Sequence, residues 1–595
     1  MHQRNKLLWG ILFLFILSGV LVYANSLHNP FLWDDPFLIR DNHFITSLRY
    51  LPEIFSTSLY YSTAGLSNYY RPLQTLFLVF DYRFYKYNPF GYHLTSLLFH
   101  IACAWVIFLL LRLLFKGAAM AFMAALLFLV HPANSTVVDY ISSRADSQAA
   151  LFMLLSVYYF SRYLKSAGYR FFSDAPVTQQ KKGVKDKPVA VTPLYYRKIY
   201  YILSLLSFIL ALFSKEMAVI LPFLLLTLPL AVSIKPGRLL PKITPFLLVL
   251  GVYALLRVTV FNFSSSAPAI GVSLYIRILT TFKSWVKLIG ILFLPLNIHI
   301  EKSVPFSKGL FEPFTFISIL IIGGIILSAY RLRQTLRDYS FGIAWFFIAL
   351  LPMANIIPIN TTYAEHWLYL PVCGFFLALL ALVRKGAEKI PAGMRSSSRY
   401  AAVLLCLGLW VILSILTVRQ NMLWKDPIIF YRKAIEISPA SFRPHNEIGV
   451  IYSGAAKYDE AIKEFKEAIR LNPSFDPAYD NLGVAYDMKG RYEESIAAHK
   501  KAIELNLLNI KAFNNLGNAY INAGRLDDAI ASYKEAIRLN RYYKAAYNNL
   551  GAAYFKKGMF KEARSCWEEV LRMDPGFSMA RDNLVVLDKH ENPDK

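Results

Sequence analysis

The sequence predicts an all-α protein in two parts, a polytopic membrane domain followed by a solenoid of helical repeats. Of its 595 residues, 56% are hydrophobic and 15% aromatic, which is far more apolar side chain than one soluble core of this charge content needs. Apolar stretches recur from Leu7 to about Leu416, whereas the composition from Trp424 onward is that of a soluble helical protein. We therefore predict a membrane domain over residues 1–423.

The apolar stretches predict about eleven transmembrane helices, because many approach the roughly 20 residues that span a bilayer. These predicted spans are 7–23, 93–115, 118–133, 148–165, 198–213, 217–234, 242–260, 313–330, 340–356, 367–383 and 400–418. With Arg4 and Lys6 on the cytoplasmic side, the basic loops, including the lysine run at 181–187, all fall on that side. Three basic residues interrupt 275–300, and we predict an interfacial or re-entrant helix there.

A cleaved signal peptide is the alternative for the first apolar stretch, since small residues near Ala24 offer a cleavage position. We favour a membrane anchor because the stretch is long for a signal core. An anchor would also hold the acidic pair that follows it at the membrane surface.

The net charge of +25 lies mostly in the membrane half of the chain. Residues 1–423 carry 38 basic and 15 acidic side chains, whereas residues 424–595 carry 26 and 24. This distribution indicates membrane topology and argues against nucleic acid as a partner. The four cysteines have no C-x-x-C spacing, so neither a disulfide framework nor a cysteine metal site is predicted.

A 34-residue period marks the C-terminal part. Glycines recur at Gly449, Gly483, Gly517 and Gly551, and a tyrosine follows each by three positions. A small residue and a ring at fixed later positions complete the pattern of a tetratricopeptide helix pair. We predict a partial repeat or linker at 424–441, four tetratricopeptide repeats over 442–575, and a capping helix with a tail at 576–595.

Such arrays usually bind extended peptide, which predicts a protein or peptide partner. Asn446, Asn514 and Asn548 recur at one helical position, where the second repeat has Asp480. We expect these asparagines to form a ladder that binds a peptide backbone. The alternative is that they are polar residues on a solvated face.

Unusual polar side chains gather on the predicted non-cytoplasmic side. They are Asp34, Asp35 and Arg71 in the first outer loop, His131, Arg144 and Asp146 in the next outer segment, Lys215 and Glu216 after the fifth span, and Glu365 and His366 before the tenth. Each cluster by itself has an ordinary structural explanation, such as a turn, a cap or an ion pair. Their convergence on one face predicts a functional site.

Sugar transfer from a lipid phosphate to a hydroxyl needs a carboxylate base and cationic groups that hold the departing phosphate. Asp34 or Asp35 is the candidate base. The candidates for phosphate binding are Arg71, Arg144, Lys215 and His366. A divalent metal on Asp34, Asp35 and His131 is a weaker alternative because no tight ligand spacing occurs, and we predict neither a metal nor a cofactor.

At these residues the chain resembles the family of transmembrane proteins that contain tetratricopeptide repeats, which groups with the protein O-mannosyltransferases of the GT-C glycosyltransferase fold. The resemblance covers nearly the whole chain and rests on Phe31-Leu32-Trp33-Asp34-Asp35 with Asn42, Arg71-Pro72-Leu73, His131-Pro132, Arg144-Ala145-Asp146, Ser214-Lys215-Glu216, Ala364-Glu365-His366-Trp367-Leu368-Tyr369-Leu370-Pro371, and the 34-residue array.

This resemblance implies an inverting, metal-independent transfer of a sugar, typically mannose, from a dolichyl or polyprenyl phosphate to Ser or Thr of a protein. It also implies that the acidic pair is catalytic. Related enzymes have Asp-Glu where this chain has Asp34-Asp35, so either carboxylate remains a candidate base, and we favour Asp34. The family usually has Arg where this chain has His366, which leaves the donor contact open.

Eleven spans that start from a cytoplasmic N-terminus end on the opposite side, so we predict that the repeats lie on the non-cytoplasmic side. We expect the bacterial inner membrane with periplasmic repeats, or an endoplasmic reticulum membrane with lumenal repeats in a eukaryotic host. Two alternatives to the protein-modifying enzyme stay open. One is an enzyme of the same fold that glycosylates a lipid or a surface polysaccharide, and the other is a membrane-anchored scaffold without catalytic activity.

Overall fold

The computed structural model describes residues 2–60, 68–115, 117–172, 193–261, 271–300, 302–357, 361–388 and 395–591. Within these ranges the chain is helical, and its β-structure is a single isolated antiparallel bridge between Phe171 and Val232. The predicted all-α class is therefore confirmed. The lysine run at 181–187 lies outside the described residues.

The N-terminal and central parts contain the apolar helices. They are α1 (His2–Tyr23), α2 (Asp35–Ile39), α3 (Leu51–Ser56), α4 (Pro72–Tyr85), α5 (Pro89–Leu114), α6 (Ala118–Val130), α7 (Thr136–Asp139), α8 (Arg144–Ser166), α9 (Leu194–Ser214), α10 (Leu221–Leu225), α11 (Pro236–Thr259), α12 (Leu274–Phe293), α13 (Pro313–Leu332), α14 (Arg337–Leu350), α15 (Pro371–Glu388) and α16 (Arg395–Met422).

The C-terminal part is a series of antiparallel helix pairs. Its helices are α17 (Pro427–Ile437), α18 (Arg443–Gly454), α19 (Tyr458–Leu471), α20 (Asp476–Met488), α21 (Tyr492–Leu505), α22 (Ile510–Asn522), α23 (Leu526–Leu539), α24 (Lys544–Lys556), α25 (Phe560–Met573) and α26 (Ser578–Glu591). The helices α18 to α25 form the four predicted tetratricopeptide repeats, and α26 follows as the predicted capping helix.

The described residues divide into two compact units. The first comprises 2–32, 70–261 and 271–426, and the second comprises 33–60, 68–69 and 427–591. The C-terminal division lies three residues after the predicted domain end at 423. A difference lies in the first outer loop, because residues 33–60 group with the repeats and not with the predicted domain 1–423. The reason is a set of contacts between this loop and the array.

Six described helices are long and apolar enough to cross a membrane, and a bent pair formed by Ala118–Val130 and Pro132–Asp139 would make a seventh. The six are Lys6–Ser26, Pro89–Leu114, Leu194–Ser214, Pro236–Thr259, Pro313–Leu332 and Leu404–Met422. Each coincides with one of the predicted spans. The protein is therefore an integral membrane protein, and the total of eleven spans stays a prediction.

The predicted span at 217–234 is wrong as one continuous helix. The structure has a 3-10 turn at Glu216–Ile220, the five-residue α10, and a second 3-10 turn at Leu228–Leu230. Prolines at 222 and 229 explain the break, because proline removes a backbone donor and clashes with the preceding turn of an α-helix. The charged segment 275–300, in contrast, contains the regular helix α12.

Each tetratricopeptide pair closes around a glycine that faces an aromatic ring. A Cβ atom at Gly517 of α22 would lie 2.5 Å from the Tyr533 ring of α23, and one at Gly449 of α18 would lie 2.5 Å from the Phe465 ring of α19. The rings of Tyr533 and Phe465 are buried. The 34-residue glycine pattern is thus a packing requirement, since only glycine lets the two helices of a pair approach this closely.

Candidate functional site

Charged residues from three separated parts of the chain meet in the first unit. Asp146 lies in the first turn of α8, and Lys215 comes directly after α9, which packs along α8. The Lys215 ammonium group donates to Asp146 Oδ1 at 2.7 Å, and Asp146 is fully buried. Helix packing therefore converts two sequence positions 69 residues apart into a buried ion pair.

The residue after Lys215 holds a second ion pair. Glu216 accepts hydrogen bonds from Arg71 Nε at 3.0 Å and lies 2.9 Å from Arg71 Nη2. Arg71 is the residue before α4, so its side chain starts at a helix end and reaches the turn that follows α9. Lys215 and Glu216 are consecutive in the chain. Lys215 pairs with Asp146 of α8, and Glu216 pairs with Arg71, which precedes α4. Four of the predicted site residues form one cluster.

His366 lies within the electric field of this cluster. It sits in the 3-10 turn Glu365–Leu368, and burial lowers its pKa from 6.5 to about 4, with the Asp146 charge opposing this shift and the Lys215 and Arg71 charges adding to it. The imidazole is therefore neutral at pH 7. His366 therefore does not supply the cationic charge expected from the sequence.

Burial also lowers the pKa of Lys215, while the Asp146 carboxylate opposes that change and the Arg71 charge adds to it. Asp146 Oδ2 is buried and has no hydrogen-bond partner among the described residues. Such a group is costly in a static protein. Two cations, two carboxylates and a neutral imidazole form a balanced cluster whose bonds an incoming anion could rearrange.

Arg144 has a different set of partners. It is fully buried and forms an ion pair with Asp81 of α4. Its Nε donates to Ser96 Oγ at 2.9 Å, and its Nη2 donates to the Tyr92 carbonyl oxygen at 2.6 Å. These contacts join α4, α5 and α8. Because the guanidinium group is enclosed by them, the structure favours a structural role for Arg144 over the predicted contact with phosphate.

Glu365 and His131 lie on neighbouring segments of the first unit. The turn that holds Glu365 packs against the 3-10 turn that follows His131. His131 Nδ1 accepts a hydrogen bond from the Ala133 N–H at 3.2 Å, which leaves Nε2–H to donate to the Leu292 carbonyl oxygen at 3.3 Å. These bonds give His131 a structural function at the start of this turn.

Glu365 is buried and its nearest cation is Lys302, 3.7 Å from Oε1. The His299 N–H donates to the same oxygen at 3.4 Å. Burial raises the pKa of Glu365 to about 7, although the Lys302 charge works in the opposite direction. Glu365 is thus a group that can hold or release a proton near neutral pH.

The acidic pair belongs to the second unit, where it begins α2. Asp34 caps the helix and its carbonyl oxygen accepts from the Leu38 N–H at 3.1 Å, while Asp35 is the first helical residue. Asp35 is fully buried and Asp34 is partly exposed. Asp34 is thus the more accessible carboxylate of the two, and the choice of Asp34 as the base stays a prediction.

The asparagines predicted to bind peptide are instead buried between repeats. Asn446 accepts from the Asn481 side chain at 2.9 Å, Asn514 from Asn549 at 3.1 Å and Asn548 from Asn583 at 3.1 Å, while Asn515 donates to Asp480 at 3.2 Å. The ladder exists, but it bonds each repeat to the next. The alternative of a solvated face is wrong, because the three asparagines are 3–8% exposed, and peptide binding by them stays a prediction.

Sequence reasoning missed several residues that the structure places in these sites. Asp81 and Lys302 pair with predicted residues, and Tyr431 and Glu447 lie in the electrostatic neighbourhood of Asp34. A carboxylate within the apolar helix α4 was a detectable signal for Asp81. The other three had none. Among the described residues, no group of three His, Cys, Asp or Glu side chains is placed to hold a metal ion.

The fold and these sites define the protein as an integral membrane protein with a C-terminal tetratricopeptide array. Family models described as TPR repeat match residues 457–490 and 517–558, and models described as tetratricopeptide repeat match 476–507 and 545–577. Over 25% of the chain it is also similar to the crystal structure of MamA, at 28% identity and a TM-score of 0.23, which includes 86% of that chain.

Curated relatives extend the similarity into the membrane half. The chain is 23% identical over 481 residues to protein O-mannosyl-transferase F38B6.6 of Caenorhabditis elegans, which covers 78% of this chain and 62% of that protein. It is 31% identical over 163 residues to protein O-mannosyl-transferase tmtc2 of Xenopus laevis, covering 26% and 19%. The predicted resemblance is confirmed. The chain spans less than two thirds of the length of these relatives.

Proposed function

We propose that this chain is an inverting membrane glycosyltransferase of the O-mannosyltransferase kind. It transfers a sugar, with mannose the first choice, from a polyprenyl or dolichyl phosphate to Ser or Thr of a protein on the non-cytoplasmic face. The observation that carries the proposal is the cluster of Arg71, Lys215, Asp146, Glu216 and His366, five predicted positions gathered in one place. The names of the relatives support it.

In the reaction, an acceptor hydroxyl oxygen attacks the anomeric carbon of the donor sugar. The bond from that carbon to the phosphate oxygen breaks, a new glycosidic bond forms on the opposite face, and the carboxylate base takes the hydroxyl proton. Asp34 is our candidate for this base and Asp35 is the alternative. The electron pair leaves with the polyprenyl phosphate, whose added negative charge needs stabilisation.

Arg71 and Lys215 are the groups suited to that phosphate. Their carboxylate partners hold them in position before the donor binds, so little reorganisation is needed when charge develops on the leaving group. His366 then acts as a neutral hydrogen-bond donor, which distinguishes this chain from family members with arginine at that position. Glu365, the residue before His366 in the same turn, accepts from the His299 N–H and pairs with Lys302.

The array binds the protein acceptor or a partner protein, and it lies on the side of the membrane where transfer takes place. We place the protein in a bacterial inner membrane with periplasmic repeats, or in the endoplasmic reticulum with lumenal repeats in a eukaryotic host. We expect exposed surfaces of the array, and not the buried asparagine ladder, to contact the acceptor.

The test is sugar transfer by membranes that contain the protein, with labelled polyprenyl-phosphate mannose and total protein as acceptor. We expect Asp34→Asn to lower the rate at least about 100-fold, because a positioned base contributes a factor of 10² to 10⁴. Asp35→Asn is measured in the same way, and the variant with the larger loss of rate identifies the carboxylate that acts as the base. Asp527→Asn is the matched control, since Asp527 is an exposed aspartate in the array.

Label in protein with the wild type and the control, but not with Asp34→Asn or Asp35→Asn, would support the proposal. Label in lipid or polysaccharide instead would identify the alternative acceptor class of the same fold. Equal label in every sample, or none with a panel of polyprenyl-phosphate sugars, would contradict catalysis and favour a scaffold.

A further inference from the structure

The outer loop that carries the acidic pair runs along the tetratricopeptide array. Within the second unit, residues 33–50 contact the array at four places, and the order of these contacts follows the order of both segments. The first contact is with α17, the second with the start of α22, the third with the connection before α24, and the fourth with the end of α25.

The first contact lies beside the candidate base. The Trp33 N–H donates to the Tyr431 hydroxyl oxygen at 3.1 Å, and the two rings stack with centroids 5.7 Å apart. Trp33 has a φ of 60°, a backbone conformation that is costly for a bulky residue and needs support from its surroundings. Tyr431 provides that support. Asp34 is the next residue, so its position depends on this contact.

The second contact is electrostatic. Lys511, near the start of α22, lies 2.9 Å from Asp41 and places its ammonium group 4.5 Å from the centre of the Phe37 ring. Phe37 belongs to α2, the short helix that Asp34 caps. One lysine of the array therefore contacts both the acidic-pair helix and Asp41, the second residue after the end of that helix.

The remaining contacts extend the loop over the last repeats. The rings of His43 and Phe44 each lie 6.0 Å from the Tyr542 ring, in the connection between α23 and α24. Tyr50 donates its hydroxyl to the Met573 carbonyl oxygen at 2.8 Å, and Arg49 donates to the same oxygen. Lys511, Tyr542 and Met573 stand at three successive connections between repeats, so one edge of the array binds one segment.

We propose that this edge of the array positions the catalytic loop, with Tyr431 as the residue that orients Trp33 and Asp34. This inference rests on the proposed function, and it assigns the repeats a role in catalysis that is separate from acceptor binding. Sugar transfer at Asp34 then depends on whether the loop is bound to the array. A loop that leaves this edge loses the contact between Trp33 and Tyr431 that positions Asp34.

The test combines sugar transfer with trypsin cleavage after Arg40 in the full-length protein. Tyr431→Phe keeps the ring and loses the hydroxyl acceptor, and we expect kcat to fall about 3- to 10-fold at an unchanged donor KM. Tyr431→Ala also removes the stacked ring, so kcat falls further and cleavage becomes faster. Tyr486→Phe is the matched control in the array and leaves both readouts unchanged, since that ring lies against Arg491.

Charge reversal provides an independent arm. Lys511→Asp should speed cleavage and lower kcat about 2- to 5-fold, whereas Lys511→Arg, which keeps the positive charge, should leave both close to wild type, because a partly exposed ion pair contributes modestly. Unchanged cleavage in all variants would overturn the docking, and faster cleavage with wild-type kcat would overturn the positioning role. A wild type that transfers no sugar would contradict the proposed function, whereas the cleavage rates would still confirm or refute the docking.

Discussion

The two units of this chain are stabilised by contacts of very different sequence range. In the array, the ladder bonds join residues 35 positions apart, one repeat plus one residue. In the membrane unit, three charge pairs join residues 63, 69 and 145 positions apart, with no common spacing. A repeat array can therefore be derived from its period, whereas the charged cluster exists only when distant helices pack together.

The two units should also differ in how strongly the loss of a single contact destabilises them. An array contact is repeated several times, so losing one copy affects its neighbours and leaves the others intact. A buried charge such as Arg144 in the membrane unit has one oppositely charged partner, and removing that partner leaves an uncompensated charge in an apolar environment. We expect substitutions to separate the two units on this basis.

The largest effect should come from Arg144→Met. The change leaves Asp81 buried without its cation, which costs about 3–5 kcal/mol of stability. Thermal unfolding of the detergent-solubilised protein measures this loss. The paired variant Arg144→Met with Asp81→Leu should recover most of it, since apolar residues can replace a buried pair. A single variant as stable as the wild type would show that the pair is not a structural link.

Gly517→Ala should destabilise the array by about 1–3 kcal/mol, because its Cβ would approach the Tyr533 ring within 2.5 Å. The control is Gly454→Ala at the end of α18, where a Cβ meets nothing within 4 Å. That variant should be neutral or slightly stabilising, since alanine favours the helix. Urea unfolding followed by circular dichroism separates them, and equal losses would contradict the packing explanation.

The stability of the first repeat should vary with pH because of Glu447. Burial and the Asp34 charge raise the pKa of Glu447 from 4.5 to about 7, although the Asn446 amide lowers it. The folded state therefore binds this proton more tightly than the unfolded state, so stability is greatest below pH 4.5 and falls as the pH rises towards 7. Glu447→Gln should remove this slope and stabilise α18 by about 1–2 kcal/mol at pH 8, allowing for its partial exposure.

Hydrogen exchange in α18 at pH 5 and pH 8 measures this change. The wild type should exchange faster at pH 8 after correction for the intrinsic rate, and the variant should show no such difference. The same pH dependence in both proteins would assign the effect to another group.

The smallest effect should come from Asn549→Ala, which removes bonds of 3.1 Å to Asn514 and Asn518. We expect a loss of about 1 kcal/mol, confined to the third and fourth repeats. Asn522→Ala, whose bond to Asp487 is exposed, should change stability by less than that. Hydrogen exchange resolved by repeat measures the spread, and a loss across the whole array would show long-range cooperativity.

Much of the candidate site was accessible from the sequence because its residues occur in short motifs beside apolar stretches. Lys215 and Glu216 were predicted as site residues from such a motif, yet the sequence contained no sign that one binds Asp146 and the other Arg71. Arg144 and Asp146 are two residues apart in one helix, and their side chains have separate partners. Two positions two apart in an α-helix point in different directions, so their motif did not define one site.

The sequence by itself determined the all-α class, the membrane character and the four repeats, because hydrophobic length and a 34-residue period are local properties of the chain. Only the tertiary structure decided that the asparagines join repeats, that α10 is short, and that Trp33 and Tyr431 meet across 398 positions. Contacts of that range depend on how separate elements pack together. Sequence periodicity does not predict such contacts, and a motif shows which side chains are present but not which of them are in contact.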